Sequence, residues 1–109
     1  MLPQALRLRR SADIVSVLRR GRKVARPTLV LYARASGHPR FGVIVSRQVG
    51  GAVQRNQVKR RLRHCAYDLI DQSHPMDVVV RALPRAGRDG AGLRGDITSA
   101  WAEAQAVVA

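Results

Sequence analysis

No carboxylate lies between Ile14 and Tyr67. Whatever this stretch folds into must hold a dense set of arginines and lysines together without neutralising them from within. The imbalance extends beyond it: residues 1–67 carry sixteen Lys and Arg against the single acid Asp13, whereas residues 68–109 carry four against six. The chain as a whole has a formal charge of +13. A fold that repels itself this strongly gains from the arrangement when a polyanion neutralises it. Nucleic acid is the leading class of partner and an anionic membrane the second. The membrane reading is the weaker, because a surface-binding helix needs Trp, Phe or Leu on its apolar face, and the only Trp, Trp101, lies far from the basic segment. Most of the cations are arginines, which suit bidentate phosphate contacts and stacking on bases.

The 109 residues fit one compact domain with a single core. At 46% hydrophobic residues a folded core is expected, although aromatics are only 4%. No run approaches the roughly 18 apolar residues of a membrane span. Met1 to Arg10 is basic but no apolar segment follows, so a signal peptide is not expected and the cytoplasm is the expected compartment. The one cysteine, Cys65, permits no internal disulfide and supplies no metal-ligand spacing.

Ser11 is a candidate N-cap for a helix ending near Gly21, with Asp13 in the favourable first turn and Ile14, Val17 and Leu18 on one face. Arg22 to Ala25 reads as a short strand or lead-in. Thr28 to Ala33 reads as a strand and Phe41 to Ser46 as another, with turn residues Ser36 to Pro39 between them predicting a hairpin. Gly50-Gly51 breaks the chain before a helix over roughly Val53 to Ile70. Met76 to Ala82, with Val78-Val79-Val80, reads as a buried strand. Pro84 to Gly95, rich in glycine, proline and arginine, reads as a flexible loop at about 84–95, and Asp96 as the cap of a last helix with Ile97, Trp101, Ala104 and Val108 on one face. The order implies an α+β sandwich, with helices packed on a small sheet.

The helix after Gly51 carries the most information. Val58, Leu62, Cys65 and Leu69 form an apolar stripe, with Ala66 beside it. At about 100° per residue, Asn56, Lys59, Arg60 and Arg63 cluster on the opposite side and Tyr67 continues their face. Arg55 is near the helix start, where backbone N–H groups already attract phosphate, and Arg61 flanks the stripe on its other side. The like-charge neighbours Lys59/Arg63 and Arg60/Arg63 cost an isolated helix roughly 0.2–0.5 kcal/mol each. No acid three or four residues away relieves them, which favours nucleic-acid contact over a merely solvated face.

These residues resemble the bacterial ribonuclease P protein component family. That family carries an Arg-Asn-Arg signature opening a helix, continued by Lys-Arg and a further Arg, after a strand and a Val-Ser-Lys-Lys-Val-Gly-like segment. The counterparts here are Gly42-Val-Ile-Val-Ser-Arg-Gln-Val-Gly50, Ala52-Val53 and Arg55-Asn-Gln-Val-Lys-Arg-Arg-Leu-Arg63. Leu8-Arg-Arg-Ser-Ala-Asp13, Arg20-Gly-Arg22, Leu29-Val-Leu-Tyr32 and Asp77-Val-Val-Val-Arg-Ala82 also look like family segments, so the likeness runs in order through residues 7–83. The chain departs from the pattern at Gln57, which replaces the second arginine of the signature, at Gln48 for a usual lysine and at Gly51 for a usual asparagine. Ile14 and Leu18 stand where the first helix usually offers phenylalanines.

The resemblance implies a two-layer αβββαβα sandwich whose small mixed sheet has a left-handed crossover; the general preference for right-handed crossovers would predict the opposite hand. It implies the protein subunit of ribonuclease P, in which an RNA is catalytic and the 5′ leader of precursor tRNA is removed with the aid of Mg²⁺ held mainly by the RNA subunit and substrate. The partners so implied are that catalytic RNA and precursor tRNA, with one protein per RNA and no membrane. By the same carry-over, Arg55, Asn56, Lys59, Arg60 and Arg63 bind the RNA subunit, while Ile14, Leu18 and Tyr32 match leader-cleft positions. Tyr32 is equally well read as a core tyrosine. A protein-borne nuclease site would need two positioned titratable groups, and His38, His64 and His74 stand in no such arrangement. The alternative is a structural RNA-binding module of the ribosomal-protein kind, which would share the basic surface and the salt sensitivity.

Overall fold

The computed structural model describes residues 2–108. After a short 3-10 turn the chain forms α1 (Ser11–Arg20), β1 (Arg22–Ala25), β2 (Leu29–Ala35) and β3 (Arg40–Ile44), then α2 (Ala52–Ile70), β4 (Met76–Ala82) and α3 (Gly90–Val107). The four strands make one sheet in the order β1-β2-β4-β3. β1 and β2 form an antiparallel hairpin, β4 runs antiparallel to β2, and β3 lies parallel to β4 through the crossover made by α2.

The anticipated hairpin between β2 and β3 does not form, because β4 inserts between them. The reason lies in the apolar run Val78-Val79-Val80, all three of which are fully buried. A strand without polar alternation must be covered on both faces, so it takes the centre of the sheet. β1 then supplies the hairpin partner of β2, pairing Val24 with Leu31.

One face of the sheet, with Leu29, Leu31, Ala33, Phe41, Val78 and Val80, packs against α2 and α3. Val58, Leu62, Cys65 and Ala66 of α2 and Ile97, Ala100, Trp101 and Ala104 of α3 fill this layer. Phe41 and Trp101 meet with ring centroids 6.0 Å apart, and the Trp101 indole N–H donates to Ser73 Oγ at 2.7 Å. This is the sandwich expected from the element order. On the opposite face α1 lays Val17 against Val30, Tyr32 and Val79, with Ile14, Leu18, Ile44 and Leu83 around them.

Three local features depart from the sequence reading. Ser11 is the first residue of α1 rather than its N-cap, which is Arg10 without a side-chain cap. Pro84–Gly87 is a 3-10 turn and α3 begins at Gly90, so most of the segment read as loop is helical. Its N-cap is Asp89, whose side chain accepts from the Gly92 N–H at 2.8 Å. Asp96, expected as that cap, sits inside α3 and accepts from both the backbone N–H and the hydroxyl of Thr28. Glycines and arginines obscured the helix because its stability comes from burying Leu93 and Ile97, and packing overrides intrinsic propensity.

Candidate nucleic-acid interface

The cationic side of α2 is built from the backbone outward. Gly50 turns the chain with φ 152° and Gly51 forms the helix N-cap without a side-chain hydrogen bond. There is no acid in the first helical turn, so the positive end of the helix dipole faces outward beside Arg55. Burial of Val58, Leu62, Cys65, Ala66 and Ile70 against the sheet fixes the helix about its axis. Asn56 and Arg60 are then exposed, and Arg55, Lys59 and Arg63 half-buried. Tyr67 continues the face, 43% exposed. The ridge inferred from the sequence therefore points away from the core.

Asn56, Lys59, Arg60, Arg63 and His64 line one groove of about 410 Å³ together with Arg7. Arg55 is not among its lining residues. Among the described residues, none of Arg55, Lys59, Arg60 and Arg63 pairs with a carboxylate. Three acids serve elsewhere: Asp77 binds Arg34 and Arg40, Asp13 lies 3.6 Å from Arg40, and Glu103 binds Arg26. Partial burial, and then the neighbouring Arg7 charge, push the Arg63 guanidinium below its ordinary range. An anion in the groove would reverse that penalty.

Sequence reasoning did not find Arg7 or the groove-lining position of His64. Arg7 arrives because the N-terminal segment adds beside β3, with the Leu8 N–H donating to the Phe41 carbonyl at 2.8 Å and a parallel bridge between Arg7 and Phe41. Leu2 and Leu8 are buried and fasten the segment. The available signal was the apolar spacing of Leu2, Leu6 and Leu8 around Arg7. His64, next to buried Cys65 in the chain, is exposed at the groove.

The second set, Ile14, Leu18 and Tyr32, is brought together on the opposite face of the sheet. Ile14 and Leu18 are half-buried, while Tyr32 is 8% exposed and packs with Val30 and Val79. Tyr32 is thus a core-contacting residue at the base of the α1 layer. A groove of about 230 Å³ leads from Arg7 and Arg63 past Gly42 to Ile14, so the two sets are joined around the β3 edge.

Among the described residues no group of three His, Cys, Asp or Glu side chains could hold a metal ion. The donor set of the described residues does not fit Mg²⁺ by itself. Among the described residues no helix is long and apolar enough to cross a membrane.

The comparisons with known proteins fit this geometry. The family model described as Ribonuclease P matches residues 2–105. The ribonuclease P protein component of Streptomyces bikiniensis is 48% identical over 113 aligned positions, covering 92% of each chain. That of Rhodococcus opacus is 50% identical, covering 79% of this chain and 77% of the relative. Among solved structures, the Staphylococcus aureus RNase P protein superposes with a TM-score of 0.85 at 25% identity, covering 94% of this chain and 97% of that one. The Thermotoga maritima RNase P protein shares the fold, with a TM-score of 0.74 at 20% identity. These likenesses favour the resemblance read from the signature helix over a ribosomal-type module. With the ordered segments, the α+β architecture and the outward cationic helix in agreement, the chain belongs to the bacterial ribonuclease P protein family, the non-catalytic protein component of a tRNA-processing ribonucleoprotein.

Proposed function

We propose that α2 is the surface by which this protein binds the catalytic RNA of ribonuclease P, through Arg55, Asn56, Lys59, Arg60 and Arg63, and that the α1 face around Ile14, Leu18 and Tyr32 receives the 5′ leader of precursor tRNA. The observation that carries the reading is the unneutralised groove lined by Asn56, Lys59, Arg60 and Arg63. Unpaired guanidinium groups on a rigid helix contact phosphates with little further ordering, and A-form RNA is read mainly through its backbone and shape. With Tyr32 only 8% exposed, the α1 face offers mainly aliphatic contacts, so leader binding there draws little on base stacking, a contribution of about 1–3 kcal/mol per base where aromatics are present.

In this reading one protein joins one RNA, and Mg²⁺ is held by the RNA subunit and the substrate. The protein contributes by organising the leader and the RNA subunit on two faces joined around one edge of the sheet. The chemical step belongs to the RNA.

Reconstitution with a bacterial ribonuclease P RNA at low Mg²⁺ tests the proposal. The protein alone is expected to cleave nothing, and its addition to promote correct leader removal. Arg60→Ala is expected to weaken RNA binding and reduce the slope of log K against log salt by about 1, with an unchanged circular dichroism spectrum. A protein without effect on cleavage, or an Arg60→Ala variant with wild-type affinity and slope, would reject it.

A further inference from the structure

Among the described residues, Arg7 is the one cation that belongs to both ends of the interface without lying on either helix. It lines the α2 groove with Arg60 and Arg63, and it lines the adjoining groove toward Ile14 with Arg63 and Gly42. Arg7 and Arg63 are the two residues common to both.

Arg7 is also held in place. Its backbone bridges Phe41, and its Nε donates to the Leu2 carbonyl at 3.0 Å, while Leu2 and Leu8 on either side are buried. Arg63 is fixed by the packing of α2, with Leu62 fully buried beside it. Among the described residues neither guanidinium pairs with a carboxylate. Asp13 shares a neighbouring depression with Arg7 but lies 3.6 Å from Arg40. Two pre-positioned guanidinium groups that repel each other across a partly desolvated seam gain most from one anion placed between them.

We propose that Arg7 and Arg63 clamp a single RNA phosphodiester at the seam where the α2 groove turns toward Ile14. The clamp rests on the RNA-binding reading of α2 and extends it to a residue outside the signature. It places a backbone contact where an RNA strand passes between the two faces. The phosphodiester comes from the catalytic RNA or from the leader of the precursor, and both present the same group.

The full-length protein and its Arg7→Gln, Arg63→Gln and doubly substituted forms are titrated with a bacterial ribonuclease P RNA. The assembled holoenzymes are then titrated with precursor and with mature tRNA. Each single substitution is expected to weaken binding about tenfold, the scale of one charged hydrogen-bonded contact. If both arginines grip one phosphate, the double form loses well short of the roughly hundredfold that independent contacts would give. That shortfall with the RNA alone assigns the phosphate to the catalytic RNA. A shortfall only with leader-bearing precursor assigns it to the leader. Losses that multiply in both titrations, or wild-type binding by Arg7→Gln in both, overturn the clamp.

Two controls keep the outcome readable. Should Arg7→Gln lose its fold by circular dichroism, Arg7→Lys decides: it keeps the charge but not the fork, and is expected to bind severalfold more weakly, whereas wild-type affinity overturns the clamp. If Arg60→Gln weakens RNA binding and Arg7→Gln weakens neither RNA binding nor precursor binding, the clamp alone fails. If neither Arg60→Gln nor Arg63→Gln has any effect, the RNA-binding reading of α2 fails with it.

Discussion

Asp96 lies within α3 yet serves the β1–β2 hairpin. Its Oδ2 accepts from the Thr28 N–H at 3.0 Å and from the Thr28 hydroxyl at 2.7 Å. Thr28 is 1% exposed, so removing the carboxylate leaves two buried donors without a partner. Asp96→Ala is expected to cost about 1–3 kcal/mol, read as a lower urea midpoint with an unchanged m value. Its RNA affinity should stay at the wild-type level, because Asp96 lines neither groove of the interface. A wild-type midpoint would show that water replaces the carboxylate. Asp77 is a second acid committed to the fold: it is buried, and receives Arg40 Nε at 3.0 Å and Arg34 Nε at 3.4 Å. Neither pairing could be read from the sequence, since each joins positions 37 or more residues apart that only the folded chain brings together.

Among the elements, α2 was the most legible, because a strict apolar stripe and an acid-free opposite side leave one orientation on the sheet. Its start depends on one backbone conformation. Gly50 has φ 152°, and a Cβ there would meet the Gln54 side chain, whereas Gly51 has φ −69° and open space around it. Gly50→Ala is expected to destabilise the protein by about 1–2 kcal/mol through backbone strain. Gly51→Ala is expected to cost about 0.5 kcal/mol, the weaker N-cap preference of alanine. Thermal melts of the two variants check the contrast, and equal melting temperatures would refute it. β4 was legible as an element because its valines announce burial, but its neighbours were not: strand order depends on which edge the α2 crossover reaches, and periodicity carries no record of that. The start of α3 was hidden for a different reason. Asp89 caps it through Gly92 within a run of glycines and arginines that, without its packing, reads as loop. The candidate site followed the same division, with the α2 ridge readable from spacing and Arg7 visible only once the N-terminal segment lies beside β3.

At the scale of the whole molecule, acids and bases do different work. Asp13, Asp77, Asp89 and Glu103 each pair with an arginine outside α2, and Asp96 holds Thr28. Among the described residues the cations of α2 receive no such partner, so folding concentrates repulsion where RNA is proposed to bind. Salt should therefore act with opposite sign on the free protein and on the complex. Screening relieves self-repulsion in the free protein; with like-charge helix pairs at roughly 0.2–0.5 kcal/mol each, the gain is about 1 kcal/mol, or roughly 4–8 °C in melting temperature. RNA binding instead weakens, because added salt opposes counterion release. Four phosphate contacts, by Arg55, Lys59, Arg60 and Arg63, give a log–log slope of about −3 to −4, close to a hundredfold loss between about 50 and 200 mM salt. Differential scanning fluorimetry of the free protein and filter binding to a bacterial ribonuclease P RNA, run over the same salt series, measure both. Stability that falls with salt would mean that intramolecular ion pairs dominate the free protein. An RNA affinity indifferent to salt would mean that the ridge of α2 does not meet the phosphate backbone.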